Sequence, residues 1–478
     1  AYPVQELDDM WKKTLINQFH DILPGSSIHQ VYEVTKEEYA QLKEQINGLA
    51  GERMKKLAGE GDRVMVLNTT GKVREDVAYL GVCDADYLTD EGGTLYPVQQ
   101  TAEGAVAFLR DIPSKGYRML RAGVRRDGQQ PAESAFVLSD KYTLETPFYK
   151  VSFAENGEIA RLYDKENDRE VVQPGKTLNQ FRMYEDKPIY FDNWDIDIYY
   201  TEKSWNVDGV ESMEWTELGS VRAVLEITRK ASKSTVTQKI IFYAGQRRIE
   251  FQTHVDWKEH QTLLKVHFPV AVHTDEATFD VQFGNLTRKT HTNTSWDVAR
   301  FESCGQKWMD LSEGHYGVSL LNDCKYGHSV KDSNMALTLI KSGIEPNPTT
   351  DQEEHDFTYA LYPHAETWRA AGTVAEAYKL NQPLKVELHA GEDGPESASF
   401  AAVEASNVVI ETIKQAEDGK GVILRMYESE NAYTKTSVTV NADFAKAYVC
   451  NLLEEAEHEA KVICRQIAVT LKPYYVVT

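Results

Sequence analysis

The sequence predicts a mainly β protein that starts with a helical segment, the end of a helical bundle, and continues as β-sandwich domains. Apolar residues recur at helical spacing up to about residue 59, and from Val64 onwards short runs alternate between apolar and polar residues. Turns that contain Gly separate these runs, as is typical of sandwiches. A length of 478 residues leaves room for about three domains.

The helical segment, residues 1–60, is predicted to contain two helices joined by a turn. One face of the first helix is marked by residues at three- and four-residue spacing: Leu7, Met10, Trp11, Thr14, Leu15 and Gln18. Pro24 and Gly25 end this helix, and Ser26 or Ser27 can cap the second one.

Three β domains follow the helical segment: a small sandwich at 61–123, a large super-sandwich at 124–390 and a second small sandwich at 391–478. The first has short strands and a Gly-rich turn at Asp90–Gly93. The polar stretch Arg125–Pro131 reads as a linker or loop. Asn156-Gly157 then predicts a hairpin, and long alternating strands follow it.

The composition argues against two classes of partner. There are 52 Lys and Arg against 74 Asp and Glu, a net charge of −22, which disfavours nucleic acid and anionic membranes. No apolar run is long enough to span a membrane. The five cysteines are dispersed and lack CxxC spacing, which fits small core thiols in a reducing, cytoplasmic compartment. A homo-oligomer is compatible with the sequence.

His20 and Asp21 are the first candidate site residues, because they lie side by side where a helix meets the Pro24-Gly25 turn. An imidazole is a common zinc ligand, and a carboxylate can bond sugar hydroxyls. On composition alone, a structural histidine and a solvated aspartate would explain the pair as well. The residues around the pair favour a functional site.

The stretch from Trp11 to Ser26, with Asn17–Asp21 at its centre, closely resembles a motif of glycoside hydrolase family 38 α-mannosidases. The resemblance implies that His20 is one of four protein ligands to a catalytic zinc and that Asp21 contacts hydroxyl groups of bound mannose. Phe19 stands where Golgi and lysosomal members have a second His. This sequence is therefore similar to the cytosolic, vacuolar and bacterial branch.

Further segments that are similar to the family follow in family order over essentially the whole chain: Asp186–Ile196, Phe283–Glu302, Lys307–Glu313, Leu321–Gly327 and Tyr362–His364. Two positions depart from the family pattern, since Asn193 replaces the usual Ala and Phe191 the usual Trp. The large sandwich also resembles galactose-mutarotase-like folds.

Two of these segments supply candidate substrate contacts: Asp192, Trp194 and Asp195 in an aromatic-rich loop, and Asn322 and Asp323 in a later one. Aromatic rings can stack on a sugar ring while carboxylates bond its hydroxyls. A loop whose aromatic residues plug the edge of a sandwich, and catalysis by these acids alone, remain alternatives. Nearby, we interpret Arg300 and Glu302 as a structural ion pair and Cys324 as a buried thiol.

The resemblance implies a zinc-dependent, retaining α-mannosidase that hydrolyses terminal α-linked mannose from oligosaccharides. In that family the catalytic barrel, which carries the nucleophile, the acid and the other zinc ligands, precedes the His-Asp motif, and this sequence begins almost at the motif. We therefore expect no catalytic residue in this chain, no activity from the chain alone and no stoichiometric zinc retained by it. Its main partner would be the N-terminal catalytic domain of the same polypeptide. The other His-x-Asp, His273–Asp275, reads as a surface turn.

Two other classes of function remain open from the sequence. The chain could be a non-catalytic carbohydrate-binding or scaffold module, which would bind sugar without hydrolysing it. It could also be a mutarotase-like aldose epimerase, which would need a suitably placed His and Glu pair. His254, Glu259 and His260 are present but follow no recognisable pattern.

Overall fold

The computed structural model describes residues 2–125 and 132–478. The described chain is mostly β-strand after a short helical segment, which confirms the predicted fold class. Residues 126–131 of the predicted linker lie outside the described residues.

Two helices open the chain, α1 (Val4–Asn17) and α2 (His29–Ala58). Asn17 is buried at the end of α1, and its Nδ2 donates to the Glu38 carboxylate at 2.6 Å. This bond holds the end of α1 against α2. Gly59 follows α2 with a φ of 72°, a conformation that glycine adopts at little cost, so the helix ends where the sequence predicted.

The first sheet begins with six antiparallel strands: β1 (Arg63–Asn68), β2 (Arg74–Gly81), β3 (Tyr87–Thr89), β4 (Leu95–Thr101), β5 (Gly104–Ile112) and β6 (Gly116–Gly123). Their order across the sheet is β2-β5-β4-β3-β6-β1. The sheet curls around an apolar core that includes Val66, Leu88, Ala107 and Leu120.

The large sandwich contains β7 (Val137–Asp140), β8 (Thr143–Glu145), β9 (Tyr149–Phe153), β10 (Ile159–Asp164), β11 (Arg169–Glu170), β12 (Gln180–Glu185), β13 (Ser204–Asn206), β14 (Gly209–Leu218), β15 (Arg222–Ala231), β16 (Ser234–Tyr243), β17 (Ile249–Asp256), β18 (Thr262–Pro269), β19 (Glu276–Val281), β20 (Gly284–Lys289), β21 (Ser303–Cys304), β22 (Trp308–Ser312), β23 (Tyr316–Asn322), β24 (Gly327–Lys331), β25 (Asn334–Ser342) and β26 (Glu354–Ala365). Its connections include a 3₁₀ helix, Ile198–Glu202, and the helices α3 (Ser295–Val298) and α4 (Thr373–Asn381).

These strands form three antiparallel sheets with the orders β11-β10-β9-β8-β7, β13-β12-β18-β25-β24-β21 and β14-β15-β16-β17-β26-β23-β22-β19-β20. One core joins them. At its centre Phe251 of β17 stacks on Tyr359 of β26, with ring centroids 5.1 Å apart. Phe268 of β18 meets Phe251 at 5.5 Å, so the six- and nine-stranded sheets face each other.

The last strands are β27 (Lys385–Ala390), β28 (Ser397–Ser399), β29 (Ala401–Val403), β30 (Val408–Gln415), β31 (Val422–Glu428), β32 (Thr434–Val440), β33 (Tyr448–Cys450), β34 (Ala456–Glu459), β35 (Val462–Ile463), β36 (Gln466–Leu471) and β37 (Val476–Val477). The sheets β29-β32-β36-β35 and β30-β31-β37 enclose a small core that includes Val408, Val438 and Leu471. Beside them β33 and β34 form a hairpin of their own.

The boundary predicted at residue 390 is wrong, because β27 and β28 belong to the first sheet. Val66 of β1 pairs with Val386 of β27, and Tyr117 of β6 pairs with Ala398 of β28. The chain therefore returns to the first sheet before it enters the C-terminal sandwich.

A buried group of charges holds the first sheet against the large sandwich. Arg248, next to β17, contacts Asp76 of β2 at 3.4 Å, Glu250 at 2.7 Å and Glu376 of α4 at 3.1 Å. The Arg248 and Arg74 guanidinium groups outweigh the effect of burial and lower the pKa of Asp76. These charges compensate one another, so their burial is compatible with a stable interface.

The cysteines differ from the prediction. Cys304, Cys324 and Cys464 are exposed, and Cys83 and Cys450 are half-buried, so they are not small core residues. Within residues 2–125 and 132–478, no helix is long and apolar enough to cross a membrane.

Candidate functional site

His20 and Asp21 lie on an exposed turn between α1 and α2. The side chains are 72% and 51% exposed, and His20 Nε2 lies 3.6 Å from the Asp21 carboxylate. The Phe19 ring contacts the imidazole with centroids 4.3 Å apart. Both functional groups are therefore open to a ligand from outside the described fold.

Tyr32 of α2 holds this turn in place. Its hydroxyl donates to the Asp21 and Ile22 carbonyls at 3.3 and 3.2 Å and accepts the Ser27 N–H at 2.8 Å. The prediction that Ser26 or Ser27 caps the second helix is wrong. Ile28 occupies the cap position and makes no side-chain bond there.

The aromatic-rich loop, residues 186–203, is tied to the sandwich from its inner side. The Lys341 ammonium donates to the Asp186 carboxylate at 2.6 Å and to the Asp192 carbonyl at 2.7 Å. The Asp192 side chain accepts bonds from Gln261 at 3.2 Å and from the Ile344 N–H at 2.8 Å.

Asp192 is thus a correction to the predicted substrate contacts. It is buried and its bonded carboxylate oxygen holds the loop, so it does not face a ligand. Trp194 is 56% exposed and Asp195 is exposed, and both N–H groups donate to the Phe191 carbonyl in a tight turn. Of the three predicted contacts in this loop, Trp194 and Asp195 are therefore the exposed ones.

The segment 344–353, which the sequence reasoning missed, connects the loop to the start of α2, the helix that follows the His-Asp turn. On one side Asn193 donates its N–H to the Glu345 carbonyl at 3.0 Å and its Nδ2 to Thr350 at 2.6 Å. On the other side Thr349 bonds His29 of α2 at 3.2 Å, and Glu353 pairs with Lys36. A sequence signal existed, since two prolines, Pro346 and Pro348, interrupt the alternating strands here.

A third motif segment, residues 294–302, joins the same surface. The Glu302 carboxylate pairs with the fully buried Lys265 and accepts the Tyr200 hydroxyl at 2.5 Å. Burial lowers the pKa of Lys265, and the negative charge of Glu302 opposes this effect. The predicted Arg300–Glu302 pair is wrong, because Glu302 is paired with Lys265 instead.

We call the surface formed by residues 18–28, 186–203, 294–302 and 344–353 the motif face. It exposes large apolar side chains, among them Phe19, Leu23, Ile189, Tyr190, Phe191, Trp194, Tyr199 and Trp296. Exposed apolar groups in such number are typical of surfaces that bind a partner or a ligand.

Asn322 and Asp323 lie where β23 ends and the following turn begins. Asn322 is fully buried, where its Nδ2 donates to the Gln306 carbonyl at 2.7 Å and its Oδ1 accepts the Lys325 N–H at 2.8 Å. Asp323 accepts the Thr358 N–H at 3.0 Å, and burial raises the pKa of its carboxyl. The prediction for Asn322 is therefore wrong, whereas Asp323 is half-buried and its predicted contact with a substrate stays a prediction.

A metal site needs several ligand side chains held close together. Across 2–125 and 132–478 the described residues contain no group of three or more His, Cys, Asp or Glu side chains arranged to hold a metal ion. A protein zinc site uses three or four such ligands, and here His20 offers one nitrogen.

The residues considered for an epimerase have separate partners. His254 bonds Asp356 at 2.9 Å, and His260 lies 2.5 Å from the Gln352 amide. Glu259 is buried and accepts the Lys233 N–H at 2.7 Å. These contacts do not form a His and Glu pair that could share a substrate.

Comparison with known proteins adds to this geometry. Three family models match the chain: the alpha mannosidase middle domain at residues 1–57, the glycosyl hydrolases family 38 C-terminal domain at 144–349, and the family 38 C-terminal beta sandwich domain at 407–478. Human alpha-mannosidase 2C1 is 32% identical over 100% of this chain and 45% of its own length. Alpha-mannosidase G of Dictyostelium discoideum is 28% identical over 99% of this chain and 48% of its own length.

A solved structure agrees in fold. An alpha-mannosidase from Enterococcus faecalis V583 has a TM-score of 0.81 at 16% identity, over 100% of this chain and 63% of the other. The chain thus spans less than half of the length of the curated relatives.

Together, the sandwich architecture and these matches place the chain among the families of glycosyl hydrolases. The chain belongs to glycosyl hydrolase family 38, of which it carries the middle and C-terminal domains.

Proposed function

We propose that this chain is the middle and C-terminal part of an α-mannosidase and that residues outside it cover the motif face. The combined protein would hydrolyse terminal α-linked mannose from oligosaccharides with retention of configuration. The observation that carries this proposal is that three family motifs meet on one surface with exposed apolar side chains and a free His-Asp pair.

In this proposal His20 donates one imidazole nitrogen to a zinc site whose other ligands lie outside the chain. Bound zinc would orient sugar hydroxyls and stabilise charge in the transition state. Asp21 and Asp195 would accept hydrogen bonds from the sugar, and Trp194 would stack on its ring. The segment 344–353 would hold the His-Asp turn and the aromatic loop in fixed positions relative to each other, through the bonds of Thr349 to His29 and of Asn193 to Thr350.

The oligosaccharide is the partner we propose for this surface, together with the N-terminal catalytic domain of the same polypeptide. We also infer a cytosolic location, which the similarity to the 2C1-type relatives supports.

The test compares two proteins. One is this chain alone, and the other is a longer protein that also contains the residues encoded upstream of this chain in its gene. We expect the longer protein to hydrolyse aryl α-mannosides and to hold one zinc after dialysis. The chain alone should do neither. Hydrolysis by the chain alone, or about one zinc per chain, would show that a site within it has been missed. Sugar binding without hydrolysis by the longer protein would favour a binding module instead.

A further inference from the structure

A cavity of about 430 Å³ lies where the first sheet, α4 and the C-terminal sandwich meet. Its walls are the turn between β1 and β2, the turn before β6, one face of α4, and the strands β30 and β31 with their flanking residues. Its lining residues differ from those of the motif face. The volume falls within the range of typical ligand sites.

Two lysines of the first sheet line this cavity. Lys72 donates from its ammonium to the Ala405 carbonyl, and Lys115 donates to the Glu411 carbonyl at 3.0 Å. Both of these hydrogen bonds go to carbonyl oxygens, while the negative charge of Glu430 acts on Lys72 and that of Glu411 acts on Lys115. An ammonium has three donors, so each lysine keeps donors for an occupant.

The surroundings of these lysines support an anionic occupant. Burial lowers the pKa of Lys72 to about 8 and also lowers the pKa of Lys115. A desolvated cation is costly unless an anion compensates it. Because burial still lowers both pKa values, the carbonyl oxygens, Glu411 and Glu430 compensate the lysines only in part, and a bound anion would add to this compensation.

The lining of the cavity also offers acceptors and apolar surface. Glu411 and Glu430 both line the cavity, and burial raises the pKa of Glu430. Carboxylate oxygens in this position can accept hydrogen bonds from hydroxyl groups. Val374 and Val409 give the cavity an apolar side against which a carbon skeleton can pack.

We propose that this cavity binds a small anionic polyol, such as a sugar phosphate or a sugar acid. Lys72 and Lys115 hold its phosphate or carboxylate, and Glu411 and Glu430 accept its hydroxyl groups. Because three parts of the fold build the walls, the bound polyol ties the first sheet and α4 to the C-terminal sandwich. Its binding therefore stabilises the folded chain. The site is independent of the proposed hydrolase activity.

The test measures binding and thermal unfolding of the whole chain with four probes: glucose 6-phosphate, gluconate, glucose and inorganic phosphate. We expect glucose 6-phosphate or gluconate to bind and raise the Tm. The one that binds more tightly shows whether the site prefers a phosphate or a carboxylate. Glucose and inorganic phosphate should bind at least tenfold more weakly. Equal binding of either would overturn the assignment of a charged polyol.

Variants locate the binding. Lys72→Met and Lys115→Met should each weaken binding at least tenfold, whereas Glu430→Gln should change it less, because the amide oxygen can still accept a hydroxyl group. Lys72→Arg keeps the charge and the donors, so it should still bind if the Met variants fail to fold. Lys176→Met, which changes an exposed lysine outside the cavity, is the matched control. Unchanged affinity in the folded Lys72→Met and Lys115→Met variants would disprove the site.

Discussion

Two histidine–aspartate pairs in this chain differ in what surrounds them. His20 and Asp21 are adjacent in sequence, 3.6 Å apart and largely exposed. His364 and Asp310 lie on different strands, 2.9 Å apart, with side chains only 2% and 1% exposed. The chemical groups are the same, so their burial decides what they can do.

The carboxylate of the buried pair accepts further hydrogen bonds from within the fold. Asp310 accepts the Ser312 hydroxyl at 2.5 Å and the Ser319 hydroxyl at 2.8 Å in addition to the imidazole. The exposed pair keeps lone pairs free for a ligand. A site that is completed by residues from outside the chain needs such free groups. In an interior polar network, a group without a partner would instead lower stability.

The largest effect should come from the exposed pair in the longer polypeptide. We expect His20→Ala to reduce its rate on aryl α-mannosides by about 100-fold or more, because a lost ligand weakens the proposed zinc site. In the chain alone the same change should alter the unfolding free energy by less than about 1.5 kcal/mol. Steady-state kinetics and urea denaturation measure the two effects.

His315→Ala is the control, since His315 is 92% exposed and lies outside the motif face. An unfolded His20→Ala chain, or an unchanged rate and zinc content, would mean that His20 is a structural histidine.

The buried pair should show the reverse pattern, with a large effect on stability. Asp310→Ala leaves His364 and two hydroxyls without their acceptor, so we expect a loss of about 3–5 kcal/mol in unfolding free energy. Asp356→Ala is the matched control, because Asp356 also contacts a histidine at 2.9 Å but is exposed. Its removal should cost less than about 1 kcal/mol. Similar losses in both variants would show that burial is not what separates the pairs.

The pH dependence of stability extends the comparison to two other buried imidazoles. Burial is the main cause that lowers the pKa of His267 to about 3 and of His328 to about 4. The unfolded chain takes up protons below about pH 6.5 while these folded-state imidazoles stay neutral, so stability is lost as the pH falls from 6.5 towards these values. The expected loss at pH 5 is about 2 kcal/mol for each imidazole.

His328→Gln should therefore make the fall in stability between pH 7 and pH 5 less steep in urea denaturation. An equal slope in His328→Gln and in the unchanged chain would mean that His328 titrates normally in the folded state.

The sequence predicted the features that depend on local pattern. The fold class followed from periodicity, and the exposed turn at His20 followed from Pro24 and Gly25 beside it. The return of β27 to the first sheet could not be predicted, because Val66 and Val386 pair across more than 300 residues and leave no local signal.

Some predicted site residues proved to be buried, and this also could not be predicted from local sequence. The sequence predicted that Asp192 and Asn322 contact a substrate. Each side chain is instead buried and bonded to a group that is distant in sequence: Asp192 accepts the Ile344 N–H, and Asn322 donates to the Gln306 carbonyl. Glu302 pairs with Lys265 of β18 rather than with the neighbouring Arg300 for the same reason. Residue type and spacing show which groups can bind a ligand, whereas tertiary contacts decide which of them are free to do so.

The smallest effect on stability should come from the aromatic loop, where two neighbours repeat the contrast between buried and exposed. Asn193 is buried and bonded to Thr350, so Asn193→Ala should cost about 1–2 kcal/mol in the chain alone. Trp194 is exposed, and Trp194→Ala should stay within about 0.5 kcal/mol of the unchanged chain while raising KM for mannosides in the longer polypeptide. Urea denaturation and kinetics measure both. If Trp194→Ala destabilises the chain as much as Asn193→Ala does, the ring packs as part of the fold, and the aromatic loop closes a sandwich edge rather than meeting a sugar.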